Sequence, residues 1–569
     1  MSTSVAGIKS LEETQLGHAI IIGTGLAGLS AASTLLSLLP QAQAVAQNQN
    51  RDQSQPRILI LDLSPKPGGN SIKASSGING APTPFQPPQD PADSTTLFMA
   101  DTIRSAGVAF ANASPEEKKW RKGLIRALVD DSGGAVEWLA SKGVDLRRVT
   151  RLGGHSAART HRPEGGAPPG WAIVNTLLKE IKGDERVNLD GGRRVTGFLT
   201  GEDGGVVGVK YLCTTPVKSS GGAEKEEGEK EHHAFGPVIV ASGGFAGSLP
   251  TESPPTLLSK HRPDLAGLPS TNEPRPGAGV LSLLMSAGAA AIDIESVQVH
   301  PTSFVDPSAP FAFSKILGGE LLRGGGGVLL RGETGERFVN EMDTREGVSA
   351  GIMKGPMIAE STGTEASGEG VQCTRQWDVT LVLDSGAYTA SKTHVDFYVS
   401  RGLMRRTTLS SLPAGAISTL REYSLAATGG GPDVYGRRSF GSWSLKPEDV
   451  TAETEIWVGK VTPAVHFTMG GVMIDDPLGC WGRAMMWERR YWVVFGRLGR
   501  SRGVCMETIG SEGMGCLRVL VLGGGLGGAS LIFWWEETGE IEFVMDWHIQ
   551  QQQAWTESLN VVIIGILSS

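Results

Sequence analysis

The sequence predicts an α/β fold, a doubly wound, Rossmann-like domain into which a second, α+β domain is inserted. Three observations carry that prediction. At 18–39, "HAIIIGTGLAGLSAASTLLSLL", an apolar strand pattern breaks at glycines and resumes with helical spacing. After a polar stretch, "RILILDLS" is a second apolar strand ending in Asp62. The texture then changes over 296–460 and returns at 461–475, "VTPAVHFTMGGVMID".

Residues 1–17 read as an N-terminal tail, without the charged-then-apolar pattern of a signal peptide. The run 19–39 is apolar enough to imitate a membrane span. Its Gly23, Gly25 and Gly28 stand where a strand turns into a helix, which favours a buried βαβ unit and a parallel sheet. The polar stretch "QAQAVAQNQNRDQSQP" reads as a surface insertion. Residues 115–145 carry helical spacing around Trp138 and Leu139, and 186–212 and 234–242 read as strands. The charged, glycine-bearing run near 218–233 predicts a disordered loop. The first domain therefore spans 18–295, the inserted domain 296–460, and 461–476 returns to the first.

With 569 residues the chain exceeds one core. A net charge of −8 offers no basic field, so neither nucleic acid nor an anionic membrane is an expected partner. The five cysteines are scattered without a CxxC pair, so no metal site or disulfide framework is indicated and a reducing compartment is expected. The 78 glycines cluster without a collagen-like period, as tight turns and close backbone approaches do.

The first constellation is a dinucleotide site. Gly23 permits a tight turn, Gly25 lets backbone N–H groups approach a pyrophosphate, and Gly28 lets helix pack on strand. Leu26 and Ala27 open the helix, whose N-terminus adds partial positive charge for phosphates. Asp62, at the end of the second strand, can accept hydrogen bonds from both ribose hydroxyls.

Just after Asp62 comes "SPKPGGNSIKASSGINGAPTP", and "RLGGHSAARTH" (151–161) and "VIVASGGF" (238–245) follow later. Together these resemble the fumarate reductase/succinate dehydrogenase flavoprotein superfamily, and most of all its soluble fungal fumarate reductases. The resemblance runs from residue 18 to about 476. It implies that the cofactor is FAD. It also implies that Gly69, Asn70, Ser71, Ala74, Ser75, Ser76, Gly77, Ile78 and Asn79 wrap FAD near its isoalloxazine, with Ala241, Ser242 and Gly243 in a further binding block. Respiratory members bind FAD covalently through a histidine. Ser71 stands at the matching position, which implies non-covalent FAD.

The second constellation comprises His300 in "VQVHPTSF", Glu320 and Arg323 in "GGELLRGGGG", Arg345 in "GETGERFVNEMDTREG" and His466 in "AVHFTMGG". Singly, each has an ordinary reading as a loop histidine or a surface charge. The resemblance implies that His300 and His466, with Thr302, bind the carboxylates of a dicarboxylate, fumarate or succinate. It further implies that Arg345 protonates the substrate carbon and that Glu320 and Arg323 resupply the proton. A developing carbanion is far more basic than water, so an acid of very high pKa suffices. "GERFVNE" is expected to be the strand and turn that aim Arg345. The inserted domain is then a capping domain, and reduced free flavin is an expected electron donor. A cytoplasmic location is expected, with mitochondrion or another organelle as alternatives. Another unsaturated acid, a ketosteroid or L-aspartate is the alternative substrate, and a catalytically impaired FAD-binding protein the alternative function.

Residues 477–569 form an anomalous tail holding seven of the thirteen tryptophans. Family members close on a block of the kind G-E-x-x-G-G-x-H-G-x-N-R-L-G-G. The tail offers only fragments, with Arg497 an imperfect match for its arginine. Gly523, Gly525 and Gly528 repeat the glycine spacing without a following strand that ends in an acid, so they read as a coincidence of composition. A membrane anchor at 517–535 is disfavoured by its five glycines.

Overall fold

The computed structural model describes residues 19–38, 58–88, 92–152, 155–202, 205–213, 230–249, 255–275, 279–319, 321–322, 325–358, 373 and 375–473. It also gives the backbone course of 14–16, 516–524, 528–536 and 563–564. The polar insertion, most of the charged run near 218–233 and most of the tail lie outside the described residues. The chain divides into two compact units. One comprises Met1–Gly244, Ala278–Ile294 and Met469–Ser569, and the other Phe245–Gly277 and Glu295–Thr468.

The first unit is built on a parallel sheet of β1 (Ala19–Ile22), β2 (Ile58–Asp62), β3 (Val187–Gly191) and β4 (Val238–Val240), in the order β4-β1-β2-β3. Ala19 pairs with Ile58, Ile58 with Val187 and Val238 with Ile20, all in parallel register. β1 is apolar throughout and β2 up to its closing Asp62, and both are buried at every position, the pattern of strands covered on both faces. Helices α1 (Leu26–Leu38), α2 (Pro115–Ser141) and α3 (Pro169–Lys182) bring Leu29, Trp120, Leu139 and Leu177 into one core with Ile21 and Ile60. Each such side chain contributes about 1.5–3 kcal/mol by leaving water. α2 starts where its local chemistry dictates. Ser114 accepts from the Glu117 N–H at 3.1 Å, Pro115 occupies the first helical position, and Glu116 and Glu117 favour the positive end of the helix. A separate three-stranded sheet pairs Ile78–Asn79 with Thr160–Arg162, and Arg148–Thr150 lies on its far side.

The second unit is an antiparallel sheet. Its strands are β5 (Val297–Phe304), β6 (Val328–Arg331), β7 (Val379–Leu383) and β8 (Glu455–Thr468), in the order β5-β8-β7-β6. Helix α4 (Arg345–Met353) and helix α5 (Gly415–Ala427) belong to the same unit, and Leu420 and Tyr423 of α5 pack on Val328, Leu330 and Val382. The expected domain boundaries differ from these units in two places. β8 is one uninterrupted strand of 14 residues paired with both β5 and β7, so no boundary falls at 460/461. Residues 245–277 join the second unit because the Ser270 N–H donates to the Phe313 carbonyl and the Thr271 N–H to that of Val465.

The stretch "GERFVNE" also differs from expectation. β6 ends at Arg331, Gly335 turns the chain at φ 75°, and the segment from there to Thr344 is irregular before α4 begins at Arg345. Arg337 and Glu341 point inward, while Glu336 is exposed. Arg337 donates from Nη2 to Glu341 Oε2 at 2.7 Å and also pairs with Asp433, and Arg437 donates to the same Glu341 oxygen at 3.0 Å. All four side chains are at least 96% buried, so satisfying them dominates over extending the strand.

In the tail, 516–524 and 528–536 form an antiparallel hairpin. The glycine spacing at 523–528 thus joins strand to strand, not strand to helix, and cannot make a dinucleotide turn. Among the described residues no helix is long and apolar enough to cross a membrane.

Candidate functional site

In the first unit, three segments far apart in sequence meet at the C-terminal ends of β1, β2 and β4. Gly23 adopts φ 111°, and a Cβ there would lie 2.4 Å from the Ala241 carbonyl oxygen. Only glycine permits both the turn and the close passage of the chain leaving β4 through Ala241, Ser242 and Gly243, the last at φ 75°. A Cβ on Gly28 would sit 1.9 Å from the Gly23 oxygen, so this glycine sets how closely α1 packs on its own turn. Gly25 differs. A Cβ there would meet only Ser71 Oγ, at 3.3 Å, and otherwise open space beside the α1 N-terminus. A phosphate needs that space, with helix N–H groups and the helix dipole facing it. Leu26 and Ala27 form the first turn of α1, and the Leu26 N–H donates to Ser71 Oγ at 3.0 Å.

The Asp62 carboxylate is committed within the protein. Oδ2 accepts from the Thr24 N–H at 2.7 Å and from the Thr24 hydroxyl, and Oδ1 accepts from the Ser64 N–H at 2.8 Å. Each carboxylate oxygen accepts about two hydrogen bonds. Oδ1 therefore keeps capacity for one ribose hydroxyl, where the sequence suggested two. The Gly68 N–H donates to Thr24 Oγ1 at 3.0 Å, which draws the loop bearing Gly69 and Asn70 onto the glycine turn. Gly170, at the start of α3, donates to the Ala74 carbonyl at 2.9 Å. A small depression opens among Leu26, Ser71, Ala74, Gly77, Gly170 and Ile173. Ser75 and Ser76 lead into Gly77 (φ 125°), which passes over the His161 carbonyl, and Ile78 pairs with His161. Thr160 Oγ1 donates to Asn79 Oδ1 at 2.6 Å. Side-chain-free space at a helix N-terminus, a carboxylate with one open acceptor position and a glycine-lined segment fit a dinucleotide such as FAD.

Sequence reasoning missed Thr24 and His161. Thr24 lies inside the glycine motif, where a hydroxyl between two glycines is the available signal. His161 closes "RLGGHSAARTH" and is fully buried. Its Nδ1 lies 2.9 Å from the Arg159 carbonyl and therefore donates, so Nε2 accepts from the Thr83 hydroxyl at 2.8 Å. Burial pushes its pKa down to about 4 and keeps it neutral.

In the second unit, His300, His466 and Arg345 come from two strands and one helix. The β5–β8 ladder carries two bulges here. Gln298 pairs with Phe467 and Val299 with Val465, which leaves His466 as the extra residue. One step on, His300 pairs with Ala464 and Ser303 with Thr462, so Pro301 and Thr302 face Pro463 alone. Prolines on both strands lack the N–H a regular ladder needs, and bulges re-aim side chains. The result is a T-shaped pair of imidazoles, His300 and His466, with ring centroids 5.2 Å apart. Both residues are 7% exposed. The Thr302 N–H donates to His300 Nδ1 at 3.3 Å, which places the neutral ring's proton on Nε2. The Thr302 hydroxyl is directed to the Gly318 carbonyl at 2.9 Å. His466 Nδ1 meets Thr271 Oγ1 at 2.7 Å.

Arg345 is the first residue of α4, capped by Thr344, which accepts from the Gly347 N–H at 3.0 Å. A cation at that end opposes the helix dipole by about 0.3–1 kcal/mol, so helix stability does not explain it. It donates instead from Nη1 to Gln298 Oε1 at 2.5 Å. At the other end of α4, Arg331 donates to the Gly351 and Ile352 carbonyls and stacks on Phe338, which fixes the helix that carries Arg345. Glu320 and Arg323 lie outside the described residues.

Comparison with known proteins places this arrangement. The profile of the FAD binding domain family matches residues 18–480. The chain is 34% identical over 472 residues to the fumarate reductase of Schizosaccharomyces pombe, covering 80% of this chain and 79% of that protein. It is 36% identical over 483 residues to fumarate reductase 1 of Saccharomyces cerevisiae, covering 81% and 87%. Among solved structures, the open conformation of a flavocytochrome c3 fumarate reductase superimposes with a TM-score of 0.58 at 23% identity, over 81% of this chain and 69% of that one, a likeness of fold. With the family profile spanning most of its length and the cradle built as a dinucleotide requires, the chain belongs to the FAD binding domain family of flavoprotein oxidoreductases.

Proposed function

We propose that the chain is an FAD-dependent fumarate reductase. The observation that supports this most directly is the gathering of His300, His466 and the Gln298-linked Arg345 around two bulges of one antiparallel sheet. Two imidazole donors and a guanidinium suit a small diacid, since they bind and polarise its carboxylates. The names carried by the two yeast relatives agree with that choice.

FAD would be held without a covalent bond by the segments around Gly25, Asp62 and Gly69 to Asn79, and in its reduced form it would supply hydride chemistry. His300, with Nε2 protonated, and His466 hold the carboxylates and draw electron density out of the double bond. Thr302 fixes the His300 tautomer. Arg345 gives up a guanidinium proton, its N–H bond breaking as a C–H bond forms at one alkene carbon. Hydride plus proton convert fumarate to succinate. Glu320 and Arg323 return a proton from solvent to Arg345. Reduced free flavin is the electron donor of this reading.

The test uses the purified full chain. A flavin absorption spectrum is recorded, and reoxidation of the reduced protein is followed with fumarate, an unsaturated monoacid, a ketosteroid and L-aspartate. Reoxidation by fumarate alone is expected. A second reading, an FAD-binding protein with impaired turnover, draws on the absence of the family's closing glutamate and arginine block from the sequence. A yellow protein inert towards every compound would favour it.

A further inference from the structure

We infer that Thr271 is a positioning residue for diacid binding: its hydroxyl holds the His466 imidazole in the orientation and protonation state in which Nε2 donates. The inference rests on the fumarate reductase reading and adds to it a residue from outside both bulged strands.

Thr271 lies in "LPSTNEP" (268–274), a segment with no regular structure that the rest of the unit holds in place. The Thr271 N–H donates to the Val465 carbonyl at 3.0 Å. On one side, Ser270 Oγ donates to the Ala246 carbonyl at 2.7 Å. On the other, Asn272 Nδ2 donates to the His466 carbonyl at 3.2 Å. All three residues are at least 92% buried. The segment therefore grips His466 twice, through its backbone by Asn272 and through its ring by Thr271. His466 is the extra residue of a bulge, so the regular ladder does not fix its side chain, and an outside contact has to.

The chemistry calls for a hydroxyl. When His466 is neutral, the Thr271 O–H can donate to Nδ1 and leave the ring proton on Nε2, facing a carboxylate. When His466 is protonated, Nδ1–H donates to the same oxygen, and the Thr271 proton turns towards the Val465 carbonyl, 3.5 Å away. Either way Nε2 stays a donor. A methyl group of the same size can do neither.

The experiment compares the FAD-loaded full chain with Thr271→Val and Thr271→Ser. Affinity for malonate, a diacid that cannot be reduced, is measured by calorimetry, and the His466 ring nitrogens are followed by ¹⁵N NMR. Thr271→Val is expected to weaken malonate binding about tenfold, the worth of one buried hydrogen bond. KM for fumarate should rise by a similar factor with kcat little changed. The Nδ1 resonance should shift, and Thr271→Ser should restore both binding and shift. Equal malonate affinity in wild type and Thr271→Val would overturn the inference while leaving the fumarate reductase reading intact. A wild-type protein that binds no diacid at all would sink that reading first. Should Thr271→Val not fold, a wild-type His466 Nδ1 resonance without hydrogen bonding would still overturn the inference.

Discussion

Arg345 and Gln298 are joined by a 2.5 Å hydrogen bond from Nη1 to Oε1, which ties the first residue of α4 to the strand that carries His300. The amide oxygen accepts from the guanidinium and helps to orient it. Arg345→Lys is expected to lower kcat for fumarate by about 10²–10⁴, the usual worth of a general acid. Gln298→Leu should cost roughly tenfold in kcat with KM nearly unchanged. Stopped-flow reoxidation of the reduced flavin checks both. A fast Arg345→Lys enzyme would remove Arg345 from the chemistry.

Gly25 and Gly28 should fail differently. Gly25→Ala places a methyl in open space near Ser71, so the melting temperature without FAD should stay close to wild type while FAD affinity falls at least about tenfold. Gly28→Ala drives a methyl into the Gly23 carbonyl and should destabilise the unit by about 3 kcal/mol. Flavin titration combined with thermal melts separates the two.

His161 makes stability depend on pH. Its folded pKa, pushed down to about 4 by burial, lies below the unfolded value of about 6.5, so the unfolded chain binds the extra proton first. The stability it confers is complete above about pH 6.5 and declines as pH falls towards 4, by on the order of 3 kcal/mol. Urea midpoints across this range for wild type and His161→Asn should differ in slope, the variant being flatter.

Glu341 carries charge from both Arg337 and Arg437 in a site closed to water. Glu341→Gln leaves two buried cations short of compensation and should cost about 3–5 kcal/mol. Asp433 belongs to the same cluster. Burial raises its carboxyl pKa, but the hydrogen bond and charge of Arg337 together with the Arg437 and Tyr435 N–H groups outweigh this and hold it below the ordinary value. Its contribution therefore persists at neutral pH and is lost only as pH falls below about 4. Thermal melts at pH 7 and at a pH well below 4 measure both effects.

The strand, glycine turn and helix around Gly23 were legible in the sequence because their requirements are local. A β-branched run, glycines that alone tolerate φ 111° or a close carbonyl, and a helix beginning three residues after Gly23 are all written within ten positions. His300, His466 and Arg345 were nameable residue by residue, yet their geometry was not readable. His300 and His466 meet through two bulges, Thr271 reaches His466 across 195 positions, and Gln298 reaches Arg345 across 47. The same holds for "GERFVNE", read as the strand and turn that aim Arg345, whose Arg337 and Glu341 are buried with Asp433 and Arg437. Strand register, bulge position and the pairing of buried charges are settled by chain segments remote in sequence, and no local period encodes them. The amino-acid order by itself determined which backbone could turn at Gly23, while packing alone decided which way His466 points.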